Sequence, residues 1–89
     1  MIYKKSNLEY LTLGKNQIEV EKFLGAPEGR SLINNSDYLW DYRRPFLNEE
    51  TGEIFEWSLL TFRFTKGKCS SVDVHFAHPP AQLLEADLD

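Results

Sequence analysis

The sequence predicts an α+β domain, a two-layer sandwich in which two short N-terminal helices pack on a three- to four-stranded antiparallel sheet. Three observations support this fold class. A complete helix signal lies between Gly14 and Pro27, the hydrophobic period changes from helical to two after Asp37, and turn residues divide the remaining chain into strands. Helices that precede the strands, rather than alternating with them, are typical of a two-layer α+β architecture.

The helix predicted over residues 17–24 has both ends defined by the sequence. Asn16 is a favoured N-cap residue, because its side-chain oxygen accepts a free amide hydrogen of the first turn. Gly25 tolerates a positive φ, and Pro27 prevents the helix from continuing. The apolar residues at helical spacing, which we expect to face the sheet, are Val20, Phe23 and Leu24.

A second, earlier helix is predicted over residues 6–13, with Ser6 as its N-cap. Residues 28–37 are rich in Gly, Ser and Asn and therefore predict a connection, with a short strand at Leu32 and Ile33.

Strands with period-two alternation follow this connection. Tyr38, Trp40 and Tyr42 share one face of the first strand, and Arg44-Pro45 weakens its interpretation as a central strand. Strands at residues 54–64 and 69–76 complete a meander, and residues 48–53 form the tip of a long hairpin. The sheet residues expected under the helices are Trp40, Phe62, Phe64, Val72 and Val74. We expect a single domain over residues 1–80 and an acidic, flexible tail over residues 81–89.

Composition limits the possible functions. The chain has 89 residues and a formal net charge of −4, whereas nucleic-acid binders usually carry a basic face. No segment approaches the roughly 18 consecutive apolar residues of a membrane-spanning helix, and the first residues lack the pattern of a secretory signal. Cys69 is the only cysteine, which fits a reducing compartment. We therefore expect a cytoplasmic protein that binds neither nucleic acid nor membrane.

A pattern over residues 8–76 consists of a glycine, a helix, Gly-x-Pro, an aromatic strand and a final hairpin. Its residues are Gly14, Val20, Leu24, Gly25, Pro27, Trp40, Asp41, Tyr42, Leu60, Phe62, Phe64 and Gly67. It resembles the small outer-membrane-assembly lipoproteins of the SmpA/OmlA type, whose α-α-β-β-β unit also occurs, doubled, in the β-lactamase inhibitory protein. The chain differs from the lipoproteins because it lacks their signal and lipidated cysteine and because its first hairpin, residues 43–56, is longer. The resemblance implies an α+β protein-binding scaffold.

The long hairpin, residues 43–56, is the predicted interaction site, together with the outer face of the sheet. We expect the hairpin to extend beyond the helices and to expose its aromatic side chains, and Tyr, Trp and Arg are the residues that anchor protein interfaces. The predicted partner-binding residues are Tyr42, Arg43, Arg44, Phe46, Glu49, Glu50, Glu53, Phe55 and Trp57. The alternative is a solvated hairpin whose exposed ion pairs contribute under about 1 kcal/mol each.

The sequence predicts no catalytic residue, metal ligand or cofactor. Cys69 and His75 would share a strand face but lie about 20 Å apart in an extended strand, and we expect His75 and His78 to be solvated. The potential ligands lack the spacing of a zinc site, and no glycine-rich phosphate loop occurs.

These observations predict a small non-enzymatic protein-binding module, an immunity or inhibitor protein that occludes a partner protein such as a toxin. The acidic surplus would accelerate its association with a basic partner. Two alternatives stay open, a structural module resembling the envelope-assembly lipoproteins and an enzyme that uses Cys69. A homodimer formed by edge strands is compatible with each.

Overall fold

The computed structural model describes residues 2–81, and over these residues it confirms the α+β fold, with helices packed on a sheet. The elements in chain order are β1 (Tyr3–Lys4), α1 (Lys5–Thr12), α2 (Gln17–Leu24), β2 (Gly29–Leu32), β3 (Asp37–Leu47), β4 (Ile54–Thr65) and β5 (Lys68–His75). Residues 82–89 of the predicted tail lie outside the described residues.

The sheet has five strands and is mixed rather than wholly antiparallel. β3 pairs along its length with β4, and β4 pairs with β5, both antiparallel. The other edge of β3 is shared, because β2 pairs antiparallel with its first half while the two residues of β1 pair in parallel with Phe46 and Leu47. The parallel strand was not predicted from the sequence, since it joins segments more than forty residues apart.

Helix α2 begins as predicted. The Asn16 side chain accepts from the Glu19 amide at 2.9 Å, and the Glu19 carboxylate in turn accepts from the Asn16 amide, which forms a capping box. Gly25 ends the helix with a φ of 79°. The prediction that Phe23 faces the core is wrong, because Phe23 is 53% exposed; it lies about 100° around the helix from the buried Leu24.

Helix α1 begins one residue earlier than predicted, and Ser6 is not its cap. Lys4 occupies the N-cap position without a side-chain hydrogen bond. Ser6 lies inside the helix and donates its hydroxyl to the Glu49 carboxylate at 2.6 Å, so that it connects α1 to the tip of the long hairpin.

Pro45 does not interrupt β3; the strand passes through it with a change of register. Arg44 pairs with Ser58, whereas Phe46 pairs with Phe55, so β4 carries one extra residue at this point. Proline has no N–H to donate to a ladder, and the irregular step therefore falls where that donor is missing. The buried Ser58 hydroxyl donates to the Phe55 carbonyl at 2.9 Å, which satisfies an acceptor at the bulge.

A second bulge, at Ser70, separates Cys69 from His75. Phe64 pairs with Cys69 but Arg63 pairs with Ser71, and the extra residue Ser70 donates its hydroxyl to the Arg63 carbonyl at 3.2 Å. The alternation of side chains therefore inverts between Cys69 and His75. The prediction that these two residues share a strand face is wrong: Cys69 is buried and His75 is exposed.

The core lies between the helices and one side of the sheet. Its buried residues are Leu8, Val20, Leu24, Trp40, Tyr42, Phe46, Leu60, Phe62, Phe64, Cys69 and Val72, with Val74 partly buried against them. The opposite side of the sheet, called here the outer face, carries polar pairs such as Arg63 with Asp37 at 2.6 Å and Thr61 with Asp41 at 2.8 Å.

Candidate functional site

Two adjoining depressions lie between α2 and β2, over the first residues of β3. Their volumes are about 560 and 230 Å³, and they share Gln17, Arg30 and Trp40. Together they are called the α2–β2 groove, and its lining residues are Gln17, Ile18, Glu21, Arg30, Ser31, Leu32, Tyr38 and Trp40.

The floor of the α2–β2 groove is aromatic and fixed in position. Trp40 is only 5% exposed and its ring lies 4.9 Å from that of Phe64, while the Tyr38 ring stacks on Phe64 at 5.0 Å. The Tyr38 hydroxyl donates to the Gln17 side chain at 2.8 Å, and burial raises the pKa of Tyr38. Both rings therefore pack on Phe64 of the core, and the Tyr38 ring is also fixed by its hydrogen bond to α2.

The rim of the groove combines exposed aliphatic side chains with one held arginine. Leu32 is 82% and Ile18 66% exposed. The Arg30 guanidinium lies 5.1 Å from the centre of the Trp40 ring and donates to the Glu21 carboxylate at 3.1 Å. Five N–H groups are available on a guanidinium, and the single recorded bond leaves others for an additional acceptor.

The edge of β2 beside the groove is open within residues 2–81, where β3 is the strand that pairs with β2. The Ile33 amide donates to the Asp37 carbonyl at 2.9 Å. Because hydrogen-bonded and non-hydrogen-bonded pairs alternate along an antiparallel ladder, this bond directs the main chain of Gly29 and Ser31 towards β3. The N–H and C=O groups of Arg30 and Leu32 therefore point to the open edge.

The long hairpin is less exposed than the sequence predicts. The expectation that Tyr42 and Phe46 are exposed is wrong, since both side chains are fully buried and inaccessible to a partner. β1 pairs with β3 at Phe46, and the ring of Phe76, which follows β5, lies 5.8 Å from the Phe46 ring. Phe55 and Trp57 are half-buried. The hairpin side chains are less exposed because segments that are distant in the sequence pack beside them. Local sequence patterns do not show such contacts.

Tyr42 is held inside the core by a polar bond. Its hydroxyl donates to the Gly25 carbonyl at 2.8 Å, just beyond the end of α2. Burial, followed by the nearby Glu21 carboxylate, raises the pKa of Tyr42 to about 12.

The two predicted partner-binding arginines both have partners within the fold. Arg44 donates to the Leu24 carbonyl at 3.0 Å and to the Glu28 carboxylate, and its guanidinium lies 5.0 Å from the centre of the Tyr42 ring. It thus binds the C-terminus of α2, where a cation is favourable. On the outer face, Arg43 donates to the Trp57 carbonyl at 2.7 Å and lies 5.4 Å from the Trp57 ring.

The acidic residues of the long hairpin are exposed, and two of them bind neighbouring segments. Glu49 accepts from Ser6 on α1, and Glu53 lies 3.0 Å from the His78 ring nitrogen. Glu50 also lies at the tip. Their role in partner binding, like that of Phe55 and Trp57, stays a prediction.

Reactive side chains do not converge within residues 2–81, where no group of three or more His, Cys, Asp or Glu could hold a metal ion. Burial raises the pKa of the Cys69 thiol, which disfavours the thiolate form that acts as nucleophile. In this part of the chain no helix combines the length and the apolar character needed to cross a membrane.

No protein-family model, curated protein or solved structure matches the chain. The resemblance to the SmpA/OmlA lipoproteins therefore stays a prediction.

The sequence analysis missed the α2–β2 groove as a site, although it predicted a short strand near Leu32. Two signals were available. Leu32 and Ile33 stand together in an otherwise polar connection, and Ile18 lies off the apolar stripe of α2. Exposed apolar residues that form a contiguous patch indicate a docking surface, whereas single ones are common on protein surfaces.

Proposed function

We propose that this protein is a small, non-enzymatic protein-binding module and that the α2–β2 groove is its docking surface. The observation that supports this proposal is the combination of a fixed aromatic floor with the strongly exposed Leu32 and Ile18 at the rim. Apolar patches rimmed by polar residues are typical of interaction sites, and Gln17, Glu21 and Arg30 supply that rim.

The ordered side chains of the groove also support this proposal. Side chains that must be ordered on binding reduce affinity. Here Tyr38 is held by Gln17 and Arg30 is held by Trp40 and Glu21 before any partner arrives. Tyrosine and arginine are among the residue types that contribute most to interface energy, and Tyr38 and Arg30 are accessible in the groove, whereas the buried Trp40 supports them from the core.

The specific form that we propose is a cytoplasmic inhibitor or immunity protein that occludes a basic partner. Occlusion requires complementary shape and charge but no reactive group. A net charge of −4 would attract a basic partner over a distance and raise the rate of association.

Photo-crosslinking in the cell identifies the partner and tests the site. A photoreactive amino acid is placed at position 32 in the groove or, as a control, at position 10, because Tyr10 is equally accessible at 86% exposed but belongs to α1. We expect one defined adduct with a second, different protein from position 32 and none of the same mass from position 10. The crosslinked protein is then purified and its affinity for the unmodified chain is measured by calorimetry.

The pair of substitutions Leu32→Asp and Tyr10→Asp adds the same charge inside and outside the groove. Placing an unpaired carboxylate in an apolar contact should cost about 2 kcal/mol, or roughly 30-fold in Kd, so Leu32→Asp should weaken binding by that order while Tyr10→Asp leaves it within about twofold. Equal effects of the two substitutions, or no effect of Leu32→Asp, would contradict the groove as docking surface.

A further inference from the structure

We infer that the open edge of β2 pairs antiparallel with β2 of a second copy of this chain, which joins two sheets into one. This inference concerns only contacts between copies of this chain, made through the main chain of β2. It is independent of the proposed partner.

The main chain of β2 is complementary to itself in one register. Arg30 and Leu32 direct their N–H and C=O groups to the open edge, as the Ile33–Asp37 hydrogen bond shows. In an antiparallel pair centred on Ser31, Arg30 lies opposite Leu32 of the second copy and Leu32 opposite its Arg30. Each of these two pairs exchanges two hydrogen bonds, and a twofold axis passes between the serines, as a symmetric dimer requires.

The side chains fit this register. The two serines at the axis would form a non-hydrogen-bonded pair with Cα atoms about 4.5 Å apart, where a small residue avoids a clash. Leu32 of the second copy would lie opposite Arg30, on the side of the sheet that carries the α2–β2 groove. The leucine, 82% exposed in one copy, would thus extend the wall of the other copy's groove.

The charges also favour this edge. Each copy has a net charge of −4, so two copies repel each other over most of their surfaces. Arg30 is the one charged residue of β2, and Glu21 of its own copy balances its charge at 3.1 Å. β2 is therefore a strand at which two acidic copies meet without opposed like charges.

The size of the contact determines its strength. A strand of four residues with its neighbouring side chains buries less than the roughly 1,200 Å² at which stable interfaces begin. The dimer is accordingly weak, and a protein partner that takes the same edge would displace the second copy.

Sedimentation equilibrium of the purified chain tests this inference. We expect the mean mass to rise from the 10.4 kDa of one copy towards twice that value between about 10 μM and 1 mM, the range in which weak interfaces dissociate. Added NaCl should strengthen association, because it screens the repulsion between the two net charges. A mass that stays at 10.4 kDa throughout would overturn the inference.

Amide hydrogen exchange locates the contact. The amides of Arg30 and Leu32 should be unprotected in dilute solution and gain protection as concentration rises, while the Ser31 amide, which faces β3, is protected throughout. A dimer in which Arg30 and Leu32 stay unprotected would use another surface and would refute the proposed register.

The substitutions Ser31→Lys and Asn7→Lys separate the contact from overall charge. Both add one positive charge at an exposed position, but Ser31→Lys places two lysines opposite each other at the twofold axis. We expect Ser31→Lys to weaken dimerisation at least tenfold and Asn7→Lys to leave it unchanged or slightly stronger.

Leu32→Pro and Leu32→Ala separate the main chain from the side chain. Both remove the leucine, but only proline removes the outward N–H, so Leu32→Pro should lower the dimer affinity further than Leu32→Ala does. Circular dichroism verifies that each variant folds.

Equal dimerisation of Ser31→Lys and the unsubstituted chain would refute the register. The partner experiment above fails or succeeds independently, because no partner is present here.

Discussion

The long hairpin and the α2–β2 groove contain the same kinds of residue but use them differently. Each combines aromatic rings with an arginine held over one of them. In the hairpin, β1, Phe76 and the end of α2 cover or bind these side chains. In the groove, Trp40 is also buried, but the bordering Leu32 and Ile18 are covered by no described segment and stay strongly exposed. Residue type alone therefore does not indicate an interface; what matters is whether distant segments of the chain cover the residues.

The largest expected effect is on the free energy of unfolding, and it tests whether the hairpin residues are covered while the groove residues are open. Phe46→Ala should lower the free energy of unfolding by about 3–5 kcal/mol, because it empties a fully buried site. Leu32→Ala should change it by less than about 0.5 kcal/mol, as for surface substitutions in general. Urea unfolding of both variants measures the difference. Similar values for the two would mean that the hairpin and the groove are equally covered.

The two arginines offer a smaller contrast. Arg44→Ala removes bonds to Leu24 and Glu28 from a side chain that is 24% exposed and should cost about 1–3 kcal/mol of stability. Arg30→Ala removes an exposed ion pair and should cost under about 1 kcal/mol. Thermal unfolding at matched pH compares them, and a greater loss for Arg30→Ala would reverse their assigned roles.

Tyr42→Phe should cost about 1 kcal/mol, because the Gly25 carbonyl loses its donor. It should also alter the alkaline limit of stability. Since the folded pKa of Tyr42 is raised from 10.0 to about 12, the stabilisation is complete below pH 10.0 and is lost as pH rises towards 12. Unfolding of the native chain and of Tyr42→Phe across this window reveals the difference. Parallel pH profiles would show that Tyr42 does not titrate differently on folding.

The smallest expected effect is on stability at acid pH, and it comes from Asp37, the first residue of β3. The Arg63 guanidinium that donates to Asp37 lowers the pKa of that carboxyl below its usual 3.8. The contribution is present above pH 3.8 and is lost as pH falls through the lower folded pKa. The stability of Asp37→Asn should therefore depend less steeply on pH below 3.8 than that of the native chain. A nuclear magnetic resonance titration of the Asp37 carboxyl with an unshifted midpoint would exclude this contribution.

How much of this molecule could be predicted from the sequence depends on the distance between interacting residues. The ends of α2 were predictable because Asn16, Glu19 and Gly25 act within one or two turns. The bulges opposite Pro45 and at Ser70 were not, because each results from pairing two strands and inverts the alternation on which strand faces are predicted. The buried state of Phe46 and the open groove were likewise unpredictable, since both depend on where β1, β2 and Phe76 lie in three dimensions.

The parallel pairing of β1 with the end of β3 sets an order of events during synthesis. Tyr3 and Lys4 leave the ribosome before their partners Phe46 and Leu47, which follow several seconds later at roughly 5–20 residues per second. Until then the nascent N-terminus has no strand beside which to lie. The pairing of β1 therefore waits for the end of β3, and a bulky group fused ahead of Tyr3 would burden this pairing rather than the formation of the helices that follow it.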